Sequence, residues 1–243
     1  MRTFEQLLKD VESGNFDEEI ILTLFKESKN PKNAQALFSH AIKLRDEYLG
    51  RYLTLTAHVH MTTPCSVYPR CLYCALSSSD PYVRSERDTL SSQELIDAIK
   101  YVTSYPEISS VILVGGTNLK GFDKLIHRII KKIREITNID LAIDVGPSFS
   151  SENTFDYLKS NGVTTIYSSI ETINPKVFKE AKPGDSLHAR ISLMELAEKN
   201  GFNIGTIIMN GLGNDLDLIK SLLYLKRFKN LKYLYIYQHF ILF

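Results

Sequence analysis

The sequence predicts an α/β fold in which parallel strands alternate with helices to form a partial barrel. Six apolar runs have the length and composition of strands, and an amphipathic window with helical spacing lies between each successive pair of them. The strand-like runs are 52–59, 109–114, 139–145, 163–170, 204–210 and 231–237. The helical windows are 92–105, 122–136, 150–161, 185–200 and 214–228. This alternation predicts βαβ units, whose functional residues lie at the carboxyl ends of the strands.

A helical extension precedes the first strand. Apolar residues recur at helical spacing within residues 1–50, Asn30 and Pro31 form a helix start, and Gly50 is a helix stop. We therefore expect two domains, a helical extension over 1–50 and a barrel over 51–243. The chain stops just after the sixth strand, so we expect six βα units, as in a partial or truncated (β/α)8 barrel.

Composition and charge exclude several classes of protein. The 243 residues carry a net charge of +1, which argues against a nucleic-acid binder that neutralises many phosphates. The N-terminus is charged throughout and is no signal peptide, and no run is apolar enough to span a membrane. These features predict a cytoplasmic protein without nucleic-acid or membrane partners. They leave the oligomeric state unknown.

The three cysteines of the chain form a compact motif after the first strand. Cys65, Cys71 and Cys74 have the spacing C-x5-C-x2-C. Three thiolates can hold an iron–sulfur cluster and leave one iron without a protein ligand. They can equally hold zinc if His58 or His60 supplies the fourth ligand. The cysteines alone leave both kinds of metal site open.

Polar and glycine residues cluster at the ends of the other predicted strands. A glycine pair lets a ligand approach the backbone closely, and a carboxylate at the end of an apolar strand can bind a ribose hydroxyl or an ammonium group. The alternatives are an ordinary turn and a salt bridge at the barrel rim. The polar and glycine candidates at these strand ends are Gly115, Gly116, Thr117, Asp144, Ser169 and Glu171. Met209 and Leu212 are apolar candidates near the end of the fifth strand and would serve equally as core residues. Arg190, 19 residues after Glu171, could clamp a carboxylate with two N–H groups.

The last strand alternates aromatic and aliphatic residues. Tyr233, Tyr235 and Tyr237 alternate with Leu234 and Ile236, so one of the two sets must face the barrel interior. Interior tyrosines would line a substrate cavity or pack in the core. The pattern does not separate these two roles.

The motifs together resemble the radical S-adenosylmethionine (SAM) superfamily, in the branch that contains biotin synthase, the [FeFe]-hydrogenase maturase and methylornithine synthase. The resemblance covers most of the chain. It rests on the cysteine motif and on Arg45 to Gly50 (RDEYLG), Glu171 to Phe178 (ETINPKVF), Lys182 to Gly184 (KPG), Arg190 to Ala197 (RISLMELA) and Gly211 to Gly213 (GLG).

The resemblance implies a radical SAM barrel with a [4Fe–4S] cluster and SAM as cofactors. The three cysteines would bind the cluster, and the remaining iron would bind SAM. Tyr73, Met209 and Leu212 would lie beside the adenine, and Glu171 and Arg190 would contact the cofactor. The resemblance also implies a small-molecule substrate and a low-potential electron donor, ferredoxin or flavodoxin. No acid–base pair with a specific spacing is evident, so no catalytic residue is assigned.

Two departures from the superfamily pattern are informative. Members usually have C-x3-C-x2-C, and the longer first spacing is similar to the maturation enzyme that helps make the pyridinol of the [Fe]-hydrogenase iron-guanylylpyridinol cofactor. Thr117 and Asn118 stand where an acidic residue often follows the glycines. Three hypotheses follow: a radical enzyme of that cofactor pathway, a radical enzyme of the same branch acting on a biotin-like or amino-acid substrate, or a zinc- or cluster-binding scaffold without catalysis.

Overall fold

The computed structural model describes residues 2–60, 65–74, 91–118, 121, 123–148 and 151–238. The first residues of two predicted helical windows, 122 and 150, lie outside the described residues, as do residues 239–243 after the last strand. Among the described helices, none combines the length and the apolar character that crossing a membrane requires.

Six parallel strands form one sheet in sequential order, which confirms the predicted α/β half-barrel. The strands are β1 (Leu55–His60), β2 (Ile108–Val114), β3 (Asp140–Asp144), β4 (Val163–Tyr167), β5 (Asn203–Asn210) and β6 (Leu231–Gln238). Because each strand pairs with its sequence neighbours, β1 and β6 are the two edges of the described sheet. The carboxyl ends of all six strands therefore point to the same side of the sheet.

The described helices precede the sheet or follow its strands. Three lie before the sheet, namely α1 (Phe4–Glu12), α2 (Glu18–Glu27) and α3 (Pro31–Leu49). The others are α4 (Ser92–Thr103), α5 (Asp123–Arg134), α6 (Glu152–Ser160), α7 (Pro175–Ala181), α8 (Leu187–Lys199) and α9 (Asp215–Leu225). The sequence windows did not include α7, since seven residues are too few to show a helical period. Its start repeats the Asn-Pro signal of α3, because Asn174 caps it and Pro175 is its first residue.

The main core lies between the sheet and the helices that cover it. Leu113, Leu141 and Ile143 of the strands are completely buried among apolar residues of α4, α5, α6 and α8. The intervening strand residues, such as Ile112 and Ala142, belong to a second, smaller cluster inside the half-barrel. This division follows the twofold alternation of strand side chains, which separates the helix-facing surface from the interior surface.

The N-terminal helices have a small apolar cluster of their own. Leu7 and Leu8 of α1 pack with Leu24 of α2, apart from the main core. Asn30 caps α3 by accepting the N–H of Lys32 at 3.0 Å, as its position before Pro31 predicts. The helical character of residues 1–50 is confirmed, and their treatment as a separate domain stays a prediction.

Candidate active site

A cavity of about 320 Å³ lies at the carboxyl ends of the strands and brings together nearly all of the predicted site residues. The predicted residues that line it are Cys65, Cys71, Tyr73, Cys74, Gly115, Gly116, Thr117, Asp144, Ser169, Glu171, Arg190 and Met209. Leu212 is not one of the lining residues. It follows Gly211, where a φ of +92° turns the chain beyond the end of β5, and it is half-buried.

The cysteine loop is attached to the half-barrel at two points. The N–H of Ser66 donates to the carbonyl oxygen of Thr117 at 2.8 Å, which ties the loop to the end of β2. The N–H of Leu72 donates to the carbonyl oxygen of Ala181 at 2.9 Å, which ties it to the end of α7. Burial raises the pKa of the Cys71 thiol to about 11, so this thiol keeps its proton until a metal displaces it.

The donor set fits an iron–sulfur cluster. All three thiols are half-buried and line the same cavity, which places them where one group can bind them together. Iron–sulfur clusters are held by cysteine thiolates, and three such ligands leave one iron of a four-iron cluster open to the cavity. Among the described residues, no three His, Cys, Asp or Glu side chains already form a group that could hold one metal ion. His58 lines the cavity, whereas His60 is not among the lining residues.

Four charged side chains form a buried network in the cavity wall. The ammonium group of Lys182 lies 3.0 Å from Oε2 of Glu171 and 3.1 Å from Oδ2 of Asp185. The guanidinium of Arg190 contacts the same Oδ2, with Nε at 2.7 Å and Nη2 at 2.6 Å. Two cations thus balance two carboxylates in a region where an unpaired charge would be costly.

Arg190 is held from several directions. Its Nη1 donates to the carbonyl oxygen of Ser169 at 3.0 Å, and its Nη2 donates to Oγ1 of Thr117 at 3.3 Å. Gly146 leaves space for this arrangement, because a Cβ there would lie 2.6 Å from that Oγ1 and 3.2 Å from both Nη atoms. The backbone of Arg190 is fixed as well, since Ser168 Oγ donates to its carbonyl oxygen at 2.8 Å.

The network determines the charge state of its members. Burial alone would raise the pKa of Asp185, but the charges of Arg190 and Lys182 lower it to about 2. Burial acts against the charged form of Arg190, yet Glu171 and Asp185 together raise its pKa above the ordinary value. Asp185 and Arg190 are therefore both ionised at neutral pH.

Glu171 stands in an unusual backbone position. Its φ of +54° lies in the left-handed region, which costs a non-glycine residue on the order of 1 kcal/mol or more. The predicted strand 163–170 ends early, at Tyr167, and Glu171 instead forms an isolated bridge with Ile208 of β5. Its N–H donates to the carbonyl oxygen of Ile207 at 2.8 Å, and its own carbonyl oxygen accepts the N–H of Met209 at 2.9 Å. Both bonds hold the carboxylate at the cavity wall.

Two further titratable groups of the cavity have shifted pKa values. Burial raises the pKa of Asp144, at the end of β3, to about 6, although the charge of Arg190 opposes this shift. Burial and the neighbouring carboxylate of Glu171 raise the pKa of the Tyr73 phenol above its ordinary value. Tyr73 is therefore a neutral phenol at physiological pH. The raised pKa of Asp144 lies about one unit below physiological pH.

Tyrosine rings form part of the cavity wall. The ring of Tyr167 is stacked against those of Tyr233 and Tyr235, with centroids 6.0 and 6.1 Å apart. Tyr235 is in turn stacked on Tyr237 at 6.2 Å. Tyr235 and Tyr237 line the cavity, and Tyr233 packs with Tyr167 in the interior cluster, whereas Leu234 and Ile236 do not line the cavity. The tyrosines are therefore the interior set of β6.

Sequence reasoning missed several residues of this site. Lys182 was noted only as part of the KPG motif, and Asp185 was not noted. Both follow α7 in a loop, where charged residues are usually solvated, so their burial had no sequence signal. Gly146 directly follows a predicted strand, and its role depends on the position of Arg190 far along the chain. Tyr167 was part of an apolar run, and its position opposite Gly205 in the sheet register is evident only in the folded chain.

Comparison with known proteins identifies the family. The family model of the radical SAM superfamily matches residues 59–225, which is more than half of the chain. The chain belongs to the radical SAM superfamily. The matched range begins in β1 and ends in α9, so it contains the cysteine motif and the buried charge network.

Similar proteins include an uncharacterized protein of Methanocaldococcus jannaschii, which is 31% identical over 221 residues. That alignment covers 89% of this chain and 56% of the relative, so this radical SAM chain spans little more than half of the relative's length.

Two solved structures share the fold. A crystal structure of methylornithine synthase gives a TM-score of 0.80 at 19% identity, covering 96% of this chain and 68% of that one. The [FeFe]-hydrogenase maturase HydG of Carboxydothermus hydrogenoformans gives a TM-score of 0.76 at 21% identity, and the match covers 97% of this chain and 56% of that one. The fold is that of the branch which the sequence motifs indicated.

Membership of the radical SAM superfamily implies a [4Fe–4S] cluster and SAM as cofactors. The C-x5-C-x2-C motif supplies three thiols for such a cluster. The assignment of individual residues to the cluster and to SAM stays a prediction.

Proposed function

We propose that this chain carries the catalytic half-barrel of a radical SAM enzyme and that Cys65, Cys71 and Cys74 bind its cluster. The supporting observation is that the three thiols line one cavity together with the buried network around Glu171 and Arg190. When bound, the cluster supplies the electron that cleaves SAM reductively to methionine and a 5′-deoxyadenosyl radical. The chain's residues bind and orient the cofactors and exclude water.

Arg190 and Glu171 are suited to hold the amino-acid part of SAM. Four contacts with protein oxygens fix the guanidinium of Arg190, which also lines the cavity. They leave one of its five N–H groups to donate to a ligand carboxylate there. Glu171 presents a carboxylate for a ribose hydroxyl or an ammonium group. Thr117 and Ser169, which both contact Arg190, complete this wall.

Apolar and small residues are placed for the adenine and the ribose. Gly115 and Gly116 give backbone without side chains at the end of β2, where a ligand can approach closely. Tyr73 and Met209 line the cavity and offer an aromatic face and a flexible thioether to a base. Asp144 lies in the same cavity and is assigned to a ribose or substrate hydroxyl. Leu212 stands outside the lining and is the weakest of the proposed contacts.

The part of the cavity wall formed by the two edge strands is assigned to the substrate. His58 of β1 and Tyr235 and Tyr237 of β6 line the cavity there. A small molecule would bind between these residues and SAM. The electron would come from a low-potential donor, a ferredoxin or a flavodoxin, in the cytoplasm.

We propose that the enzyme acts in the biosynthesis of the pyridinol of the [Fe]-hydrogenase iron-guanylylpyridinol cofactor, so that its substrate is a precursor of this pyridinol. The support is the C-x5-C-x2-C spacing alone. The second candidate is another reaction of the same branch, on an amino-acid or biotin-like substrate. It is favoured by the structural similarity to methylornithine synthase.

Anaerobic reconstitution tests the enzyme class. The purified chain is loaded with iron and sulfide, reduced with dithionite and given SAM, and 5′-deoxyadenosine is measured by chromatography. We expect about four irons per chain and SAM-dependent 5′-deoxyadenosine. Stoichiometric zinc without a cluster would instead support the scaffold hypothesis.

Gene deletion in the source organism tests the substrate. If the pyridinol pathway is correct, the deletion strain lacks the iron-guanylylpyridinol cofactor, and a plasmid copy restores it. An unchanged cofactor level would favour the second candidate.

A further inference from the structure

The segment of residues 181–185, between α7 and α8, contacts both halves of the proposed site. On one side it binds the cysteine loop, because the N–H of Leu72 donates to the carbonyl oxygen of Ala181 at 2.9 Å. Gly184 packs closely against the same loop, where a Cβ would overlap the carbonyl oxygen of Pro69. We refer to residues 181–185 as the bridging segment.

On its other side the bridging segment carries two buried charges. The side chains of Lys182 and Asp185 are 3% and 0% exposed. Lys182 contacts Glu171 at 3.0 Å, and Asp185 contacts the guanidinium of Arg190 at 2.6 and 2.7 Å. The bridging segment therefore places one charged partner on each of the two residues assigned to SAM.

A single carboxylate oxygen joins the two cations. Oδ2 of Asp185 contacts Nζ of Lys182 and both Nε and Nη2 of Arg190, while Oδ1 accepts the N–H of Ser186 at 2.7 Å. Both oxygens are thus engaged by the protein, so Asp185 serves Arg190 and Lys182 rather than a ligand. A carboxylate held in this way fixes the plane of the guanidinium.

We propose that Lys182 and Asp185 are positioning residues that couple the cysteine loop to the SAM-binding pair, an inference that rests on the proposed function. Asp185 orients the guanidinium of Arg190 toward the methionine carboxylate. Lys182 holds the carboxylate of Glu171 and places a buried positive charge in the cavity that the cysteines line. Neither residue touches the reacting atoms.

The two roles have separate consequences. Without the Asp185 charge, Arg190 keeps its bonds to Ser169 and Thr117 but loses the partner that fixes its plane, so SAM binding weakens. Without the Lys182 charge, an anionic cluster gains an electron less easily, because a nearby cation no longer stabilises the added negative charge. The reduction potential therefore falls.

Asp185→Asn tests the first role. This substitution keeps the shape of the side chain and removes its charge. In reconstituted protein we expect an unchanged iron content and a dissociation constant for SAM that is at least tenfold higher, measured by titration of the EPR signal. Asp185→Glu should recover part of the affinity. A dissociation constant within twofold of wild type in Asp185→Asn would overturn this role.

Lys182→Met tests the second role, with Lys182→Arg as the charge-conserving variant. We expect Lys182→Met to lower the cluster potential by about 59 mV, equivalent to a tenfold change in a one-electron equilibrium. Lys182→Arg should keep the wild-type potential. Lys176→Met is the matched control, because Lys176 is exposed on α7 and carries the same charge.

The outcomes separate this inference from the proposed function. If wild type fails to assemble a cluster or to bind SAM, the proposed function is wrong. If wild type does both and the Lys182 and Asp185 variants match it in potential and affinity, only the positioning role is wrong. If thermal unfolding shows that Lys182→Met does not fold, the test of the inference rests on Lys182→Arg and Asp185→Asn. A reduction potential of Lys182→Arg below that of wild type would then contradict the role of the Lys182 charge.

Discussion

The ring of Tyr167 lies directly over Gly205, where a Cβ would overlap the ring carbons. The two residues are partners in the register between β4 and β5, and Gly205 is in turn the partner of Tyr233 on β6. Because the middle residue has no side chain, Tyr167 reaches across β5 and stacks on Tyr233 with centroids 6.0 Å apart. The glycine thus makes the tyrosine-lined side of the cavity possible.

Gly205→Ala should therefore destabilise the protein by about 1–3 kcal/mol, since overpacking a filled interior forces the neighbouring ring to move. The measurement is urea unfolding of the cofactor-free protein. The matched control is the same substitution in a Tyr167→Leu background, where the smaller side chain gives the new methyl group space. A double-mutant cycle without coupling between the two positions would contradict the close approach.

Cys71→Ser should abolish cluster assembly, because serine does not replace a thiolate ligand of an iron–sulfur cluster. Iron bound after anaerobic reconstitution should fall from about four atoms per chain to a small fraction of that. Tyr68→Phe is the control, since Tyr68 is 84% exposed in the same loop. Full iron content in Cys71→Ser would remove this cysteine from the assigned ligands.

Arg190→Lys should weaken SAM binding at least tenfold while the cluster still assembles. Lysine keeps the charge but loses the planar set of donors that contacts Asp185, Ser169 and Thr117. Equilibrium binding of SAM to the reconstituted protein measures the effect. Arg227→Lys is the control, because Arg227 pairs with Glu195 at 3.2 Å on the surface. Equal affinities for the two variants would exclude Arg190 from the SAM contacts.

Asp144→Asn should stabilise the cofactor-free protein at neutral pH. Burial raises the pKa of Asp144 from 3.8 to about 6, so between these values the folded state binds more protons than the unfolded state. The free energy of unfolding therefore falls as the pH rises from about 4 to about 6. The variant escapes this loss, which is up to about 3 kcal/mol.

Urea unfolding at several pH values between 4 and 7 measures the Asp144 effect. The difference in the free energy of unfolding between Asp144→Asn and wild type should be near zero at pH 4 and largest at pH 7. Asp156→Asn, which removes an exposed carboxylate on α6, should show no such trend. A difference in the free energy of unfolding that stays constant across this pH range would mean that folding does not raise the pKa of Asp144.

Much of the architecture was predictable, because it depends on local patterns. Strand runs and helical windows follow from side-chain periodicity, and the Asn30-Pro31 start of α3 follows from capping chemistry. The order of the strands then places their carboxyl ends together. This is why Cys65, Glu171 and Arg190, which are far apart in sequence, were expected in one site and do line one cavity.

The missed features depend on contacts between distant segments. Asp185 looks like an ordinary loop charge, and Lys182 was noted only as part of the KPG motif, whereas the structure buries both of them beside Arg190 and Glu171. The end of β4 at Tyr167 was wrong by three residues, because the apolar run continues to Ile170 while the strand pairing does not. The resemblance placed Leu212 beside the adenine, but Leu212 follows the turn at Gly211 and is not one of the residues that line the cavity.

The central claim is that an iron left open by Cys65, Cys71 and Cys74 binds SAM beside Glu171 and Arg190. Its most direct test is EPR and electron–nuclear double resonance of the reduced, reconstituted chain with SAM labelled by ¹⁵N in its amino group and ¹⁷O in its carboxylate. We predict a cluster signal that changes on addition of SAM and shows hyperfine coupling to both labels. A protein with bound zinc and no cluster signal, or a cluster signal indifferent to SAM, would contradict the claim.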